Sequence, residues 1–330
     1  MDWGSIITNA LRSIVGLETI VYGLAAIGLN LHFGYAGLLN FGQAAFVAVG
    51  AYGIAVTVTI IGLPFFVGVV AGLVGAVLLA LLLGIPTLRL RADYLAIATI
   101  AAAEIVRLTF RSTSLRSYFG GADGLQAFDD GFYSLNPLSP GTYGFGPWRF
   151  SERVSWILIV GWALVALCCV VTWLLMRSPW GRVLKGIRED EDAVRSLGKN
   201  VYAYKMQALI LGGVIGALAG FVFALGRAAV QPNLYGTEFT FFAYTVLLLG
   251  GAARVLGPVV GAMIFWVFFS LTDNVLRQAV GAGYIPDGLM STTQVGQVRF
   301  ILVGLLLMLL MIFRPQGIFG DKRELAINAR

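Results

Sequence analysis

Residues 33–88 include no charged side chain at all. A membrane-crossing helix needs about 20 mostly apolar residues, so this stretch is long enough for two crossings. Gly62 and Pro64 mark the expected turn of a tight hairpin between them. Residues 62–83, 154–176 and 206–226 are likewise uncharged and long enough to cross. Weaker spans lie at 13–31, interrupted by Glu18, and at 94–110, interrupted by Glu104 and Arg107. Three more follow at 239–251, 255–271 and 300–313, of which the first and last are short for a full crossing. The expectation is an all-α, polytopic membrane bundle of eight or nine helices, one domain over residues 1–330.

Composition agrees. Charged residues make up 12% of the chain, against about 25% in a typical soluble domain. That density cannot cover a water-facing surface, so the formal net charge of +6 speaks to membrane sidedness rather than to nucleic acid. Residues 177–205 hold Arg177, Arg182, Lys185, Arg188, Arg195, Lys199 and Lys205, and the C-terminal tail adds Arg314, Lys322, Arg323 and Arg330. Arg89 and Arg91 sit in the short turn 84–93. Lysine and arginine concentrate in cytoplasmic loops, which places these three segments and the C-terminus inside. The loop 111–153 then falls outside, and an N-terminus outside follows if nine spans are real. The opening Met1-Asp2-Trp3 lacks a basic n-region and a small-residue cleavage site and reads as mature sequence.

The absences narrow the chemistry. No G-x-x-x-x-G-K-[ST] phosphate loop occurs, so nucleotide hydrolysis is expected on another chain. No H-E-x-x-H occurs, His32 is the single histidine, and Cys168 and Cys169 are adjacent inside an apolar run. Neither a metal nor a cofactor is expected. Glu18, Glu104 and Asp273 are scattered near span ends, where a carboxylate reaches water easily. Glycines repeat at four in Gly212, Gly216 and Gly220, in Gly68 and Gly72, and in Gly257 and Gly261, the spacing that lets helix backbones approach closely in lipid.

The informative polar segment is 178–205. Glu189, Asp190, Glu191 and Asp192 open a short helix, Arg195 lies near its end, and Gly198 is placed as its left-handed stop, a polarity that complements the helix dipole. Ile187, Val194 and Leu197 would share one face, an apolar ridge with no lipid or core of its own to bury in. Such a ridge suits a partner protein.

The run Gly-Ile-Arg-Glu-Asp-Glu-Asp-Ala-Val-Arg-Ser-Leu-Gly at 186–198 resembles the coupling segment of branched-chain amino-acid ABC transporter permeases. Its continuation Tyr204-Lys205-Met206 and the glycine-rich 216–220 fit as well. Residues 29–46 are similar to that family's first signature. The matches continue in order through 93–99, Glu104-Ile105-Val106-Arg107, 120–125, Gly250-Gly251, Leu256-Gly257-Pro258 and 314–320. The resemblance covers roughly residues 28–320 and favours the M-type over the H-type partner. Ala252, Ala253 and Arg254 depart from a turn that is often richer in glycine.

The resemblance implies a complex with a sister permease, two cytoplasmic ATPases and an extracytoplasmic solute-binding protein in a bacterial plasma membrane. Arg188–Leu197 would then receive the ATPase stroke. The pathway needs polar groups that tolerate a zwitterion without holding it. Asn40 and Gln43, three apart, are expected on one helical face, and Gly34, Gly37 and Gly42 around them can break the helix, where a half-helix N-terminus favours a carboxylate. Tyr52 joins them as a pathway residue. These groups bring no fixed charge, so substrate choice is expected to lie mainly outside the chain, and Glu104 is expected to pair with Arg107 or Arg91. The alternatives weighed are a urea or short-chain amide permease, an ion-coupled secondary transporter acting alone, and a membrane scaffold. An ion-coupled mechanism calls for a buried coupling acid, and the sequence offers no convincing one.

Overall fold

A computed structural model describes residues 1–90, 92–282, 294–314 and 316–320. The chain begins with α1 (Trp3–Ile14), whose Asp2 caps it by accepting from the Gly4 and Ser5 amides at 3.0 and 3.2 Å. Helix α1 is too short to cross a bilayer and is amphipathic: Ile6 and Ala10 are buried, while Trp3 and Ile7 face outward. The bundle proper follows with α2 (Leu17–Leu29), which runs on as a π-helical turn Asn30–Tyr35, then α3 (Gln43–Thr59), α4 (Phe65–Thr87) and α5 (Ala92–Arg111). The hairpin predicted at Gly62 and Pro64 is present between α3 and α4, with Gly62 at φ +75° and Pro64 leading into α4.

A long connection follows, with the short helices α6 (Arg116–Phe119) and α7 (Asp130–Tyr133) and the strands β1 (Leu125–Gln126), β2 (Thr142–Tyr143) and β3 (Phe150–Ser151). The chain then forms α8 (Glu152–Arg177), α9 (Pro179–Glu189), α10 (Glu191–Ser196) and α11 (Val201–Arg227), passes through β4 (Ala229–Val230), which pairs with β1, and closes with α12 (Thr237–Gly250), α13 (Gly257–Gly281) and α14 (Val295–Phe313). Among the described residues five helical stretches are long and apolar enough to cross a membrane, Trp3–Tyr35, Phe65–Thr87, Glu152–Arg177, Val201–Arg227 and Gly257–Gly281, and α3 and α12 are shorter apolar helices. The predicted span at 13–31 is displaced, because Val15 and Gly16 separate α1 from α2.

The two ends of the bundle differ. At one end the α4–α5 turn, helices α9 and α10 and the α12–α13 turn gather beside the segment 36–42. Residues 318 and 319 join them by donating backbone hydrogen bonds to Leu249 and Gly250. At the other end α1 meets the long connection, where Trp148 Nε1 donates to the Leu11 carbonyl at 2.9 Å, and Arg227 pairs with Glu18 at 2.5 Å. Along α4 the outward stripe Phe66, Val70, Val74, Leu78 and Leu82 keeps the four-residue spacing of a single helix face. Apolar side chains in such a stripe suit lipid rather than water.

The glycine repeats sit at close crossings. Gly212 meets the Gly28 carbonyl and the His32 ring, Gly216 meets Gln43 and Phe46, and Gly220 packs on the Val47 carbonyl. A Cβ on Gly220 would collide with backbone that cannot swing away. Gly220→Val should therefore cost more than the roughly 1–3 kcal/mol of ordinary overpacking. In heated detergent extracts it should lose the monodisperse peak in size-exclusion chromatography, while Gly304→Ala, with open space around Gly304, should keep it.

Candidate functional site

The helical path breaks between α2 and α3. The π-helical turn ends at Tyr35, Gly37 takes φ +68°, and residues 37–42 run without helical structure before α3 resumes at Gln43. Asn40 lies inside this break. Asn40 and Gln43 therefore do not share a helical face as predicted, because the helix on which that spacing was counted starts at Gln43. Both amides are nonetheless fully buried.

A polar network holds the break. Asn40 Nδ2 donates to His32 Nδ1 at 3.0 Å, and His32 Nε2 donates to the Leu209 carbonyl of α11 at 3.1 Å, which fixes the ring as a neutral, Nε2-protonated tautomer. Asn40 Oδ1 accepts from the Gly42 amide, and the Tyr244 hydroxyl of α12 donates to the Asn40 carbonyl at 2.9 Å. The Phe41 amide donates to Thr99 Oγ1 of α5 and the Ala44 amide to Thr240 Oγ1 of α12, each at 3.0 Å. These hydroxyls satisfy backbone donors that a broken helix exposes. Helices α5 and α12 thus flank the break.

Gln43 points to α2 and α11, with Nε2 3.3 Å from the Ala25 and Gly212 carbonyls, and its buried Oε1 has no hydrogen-bond partner among the described residues. Tyr52 stands two turns along α3 at 2% exposure, stacked on Phe110 at 4.1 Å between centroids and edge-on to Tyr235. The structure gathers Asn40 and Gln43 at the break and sets Tyr52 in an aromatic cluster away from it. Asn30, His32, Thr99, Thr240 and Tyr244 were missed as site residues. Only the Asn30-Leu31-His32 cluster of polar groups before Gly34 signalled any of them in the sequence.

The polar segment forms two helices rather than one. Asp190 adopts φ −154° and ψ 102°, and its carboxylate accepts from the Asp192 and Ala193 amides at 3.0 Å, so it caps α10 and ends α9. Glu191 and Asp192 stand in the first turn of α10, Arg195 pairs with both, and Gly198 takes φ +76° just beyond, in line with the predicted dipole pattern and stop. The predicted ridge does not form. Ile187 is 4% exposed and turns into the chain, Val194 is half-buried against Gly186, and Leu197 alone projects, at 78% exposure. The interruption at Asp190 changes the helical phase on which the common face depended.

Arg188 also turns inward. Its Nη1 donates to the Gly34 carbonyl at 2.5 Å, its Nη2 pairs with Glu189 at 3.0 Å, and its stem lies against Gly37. Gly37 has no Cβ to obstruct that approach. Behind the contact, a cavity of about 300 Å³ opens between 36–38, Leu88, Leu95 and Ile187. Asn30 extends the linkage by accepting from the Ala253 amide and donating to the Arg254 carbonyl, both at 2.8 Å. Helices α9 and α10 are therefore tied through one guanidinium to the helix break, and through Asn30 to the α12–α13 turn.

Helix α5, which flanks the break, carries the expected ion pair of Glu104. Glu104 and Arg107 of α5 form a bidentate pair, with Arg107 Nε donating to Glu104 at 2.9 Å. Of the two predicted partners of Glu104, Arg91 lies outside the described residues. The pair lines a second cavity, of about 480 Å³, at the end of the bundle away from α9 and α10.

Residues 13–313 match the family model described as a branched-chain amino acid transport system permease component. The chain is 30% identical over 320 residues to the high-affinity branched-chain amino acid transport system permease protein LivM of Salmonella typhimurium, covering 94% of this chain and 70% of that one. Its counterpart in Escherichia coli is 30% identical over 332 residues, covering 97% and 72%. The probable branched-chain amino acid transport permease protein LivM of Methanocaldococcus jannaschii is 26% identical over 352 residues, covering 94% of each chain. This multi-pass, all-α chain, with its broken central helix joined to a charged helical pair, belongs to the family of branched-chain amino acid transport system permease components.

Proposed function

We propose that residues 1–330 form one permease unit, the M-type membrane subunit of an ATP-driven importer for branched-chain amino acids. It works with a sister permease, two ATPases and a solute-binding protein. The observation that carries this reading is the bond from Arg188 to the Gly34 carbonyl. A transporter driven from outside its own chain needs a rigid link between a docking element and the pathway, and this bond joins the two directly. Helices α9 and α10 then receive the motors in the cytoplasm. We place the C-terminus on the same side, a reading supported by the packing of residues 316–320 beside Gly251 at that end, and the connection 112–151 faces the binding protein outside.

In each cycle, movement of α9 pulls on Gly34 and shifts the break between its flanking helices α5 and α12. The network of Asn40, His32 and Tyr244 holds the break's backbone donors and acceptors while a zwitterion passes. The test is uptake by the assembled importer in proteoliposomes. Leucine uptake should require ATP and the partner ATPases and stop with vanadate, and urea should not be taken up. Leucine uptake by this chain alone on a sodium or proton gradient would overturn the proposal.

A further inference from the structure

The second cavity lies where α5 and the beginning of α12 face each other. Glu104 and Arg107 come from α5 and Glu238 from the first turn of α12. Tyr22 and Phe242 line it as well, and Tyr22 stacks on Phe239 at 4.5 Å between centroids. An ion pair that only braced α5 would require neither a cavity beside it nor a second acid lining that cavity.

The charges are unequal. Glu104 neutralises Arg107, and Glu238 forms no ion pair among the described residues. Arg107 gives one N–H to each Glu104 oxygen and one to Asn233 Oδ1 at 3.2 Å. A guanidinium carries five N–H donors, so two remain for a further acceptor. The cavity lining thus combines guanidinium donors, a carboxylate outside any ion pair among the described residues, and aromatic faces. Gly236 caps α12 without a side-chain hydrogen bond, which adds backbone donors on the same wall.

We propose that this cavity is a receiving site for a zwitterionic α-amino acid with a branched aliphatic side chain. Arg107 takes the carboxylate, Glu238 takes the ammonium group, and Tyr22 and Phe242 cover the side chain. Its position fits a substrate on its way to the break. Thr240 and Tyr244, which hold Ala44 and Asn40, follow Glu238 on the same helix, so the distance along α12 from Glu238 to Tyr244 is about 9 Å. The inference rests on the importer reading and assigns to this chain part of the recognition that its sequence had left to partners.

The test uses the full chain in lipid nanodiscs and saturation-transfer NMR with three probes: L-leucine, 3-methylbutylamine, which lacks the carboxylate, and 4-methylpentanoate, which lacks the ammonium group. Leucine should show methyl contacts, and each one-ended analogue should bind about tenfold more weakly, the loss of one charge-assisted contact. Glu238→Gln should weaken leucine about tenfold and leave 4-methylpentanoate unchanged. The double variant Glu104→Gln with Arg107→Gln, which strands no buried charge, should weaken leucine and leave 3-methylbutylamine unchanged. Equal binding of all three probes, or leucine binding unaltered by both variants, overturns the site. Leucine uptake by the assembled importer without leucine contact here overturns the site alone. Leucine contact here without leucine uptake by the assembled importer overturns the importer reading alone.

Discussion

Arg188→Gln should leave the importer assembled and hydrolysing ATP while uptake per ATP falls about tenfold. The guanidinium spans two elements: one nitrogen reaches the Gly34 carbonyl at the end of the π-helical turn and the other holds Glu189. A hydrogen bond to a charged donor contributes about 1.5–3 kcal/mol, enough to let the break drift from α9 without unfolding either helix. Arg188→Lys should be intermediate, because an ammonium is a point charge that cannot fork between a carbonyl and a carboxylate in fixed geometry. Glu189→Gln should be milder than either, since the Glu189 pair is partly exposed and such pairs are worth only about 0–1 kcal/mol. The measurement is vanadate-sensitive ATPase activity beside leucine uptake in the same proteoliposomes. Uptake and hydrolysis falling together in Arg188→Gln would mean that the residue serves motor assembly rather than transmission.

What was legible in the sequence was whatever a local rule controls. The hairpin at Gly62 follows from an uncharged run too long for one crossing and from Pro64, which suits a helix start. The acids opening α10 and Gly198 closing it are dipole and cap effects that act within a turn. The small-residue spacing of Gly212, Gly216 and Gly220 was legible too, because close backbone approach excludes a Cβ whichever neighbour arrives.

Both errors of site geometry came from counting helical positions across an interruption. Asn40 and Gln43 were placed on one face, and so were Ile187, Val194 and Leu197, although Gly42 ends one count and Asp190 the other. An aspartate competes with the backbone for amide donors, and inside a run of four acids nothing local shows which one will win the capping position. The partners of the break were illegible for a different reason. Thr99, Leu209, Thr240 and Tyr244 arrive from helices far along the chain. Their roles depend on how those helices pack, and hydroxyls in apolar spans bond to their own helix equally well, as Thr245 does with the Phe241 carbonyl.

The corrected geometry changes which residue is expected to meet a motor. Leu197→Asp should abolish co-purification of the ATPases, whereas Val194→Asp should damage the fold of the α9–α10 pair first. Leu197 projects from the end of α10 at 78% exposure, and Glu191, Asp192 and Arg195 of that helix engage one another. The exposed aliphatic group is thus the apolar feature this tip can offer a motor. Fully burying a leucine side chain is worth about 1.5–3 kcal/mol, so removing it weakens association by roughly ten- to a hundredfold. A buried aspartate in its place adds a desolvation cost. Val194 instead packs under Gly186, and a carboxylate there disrupts the contact between α9 and α10. Arg188→Gln and Leu197→Asp therefore separate the two halves of coupling: the first keeps the motors bound and loses transport, the second loses the motors themselves. Normal ATPase recovery with Leu197→Asp in detergent-solubilised complex would move the docking contact to the cavity edged by Arg89, Lys199 and Tyr202.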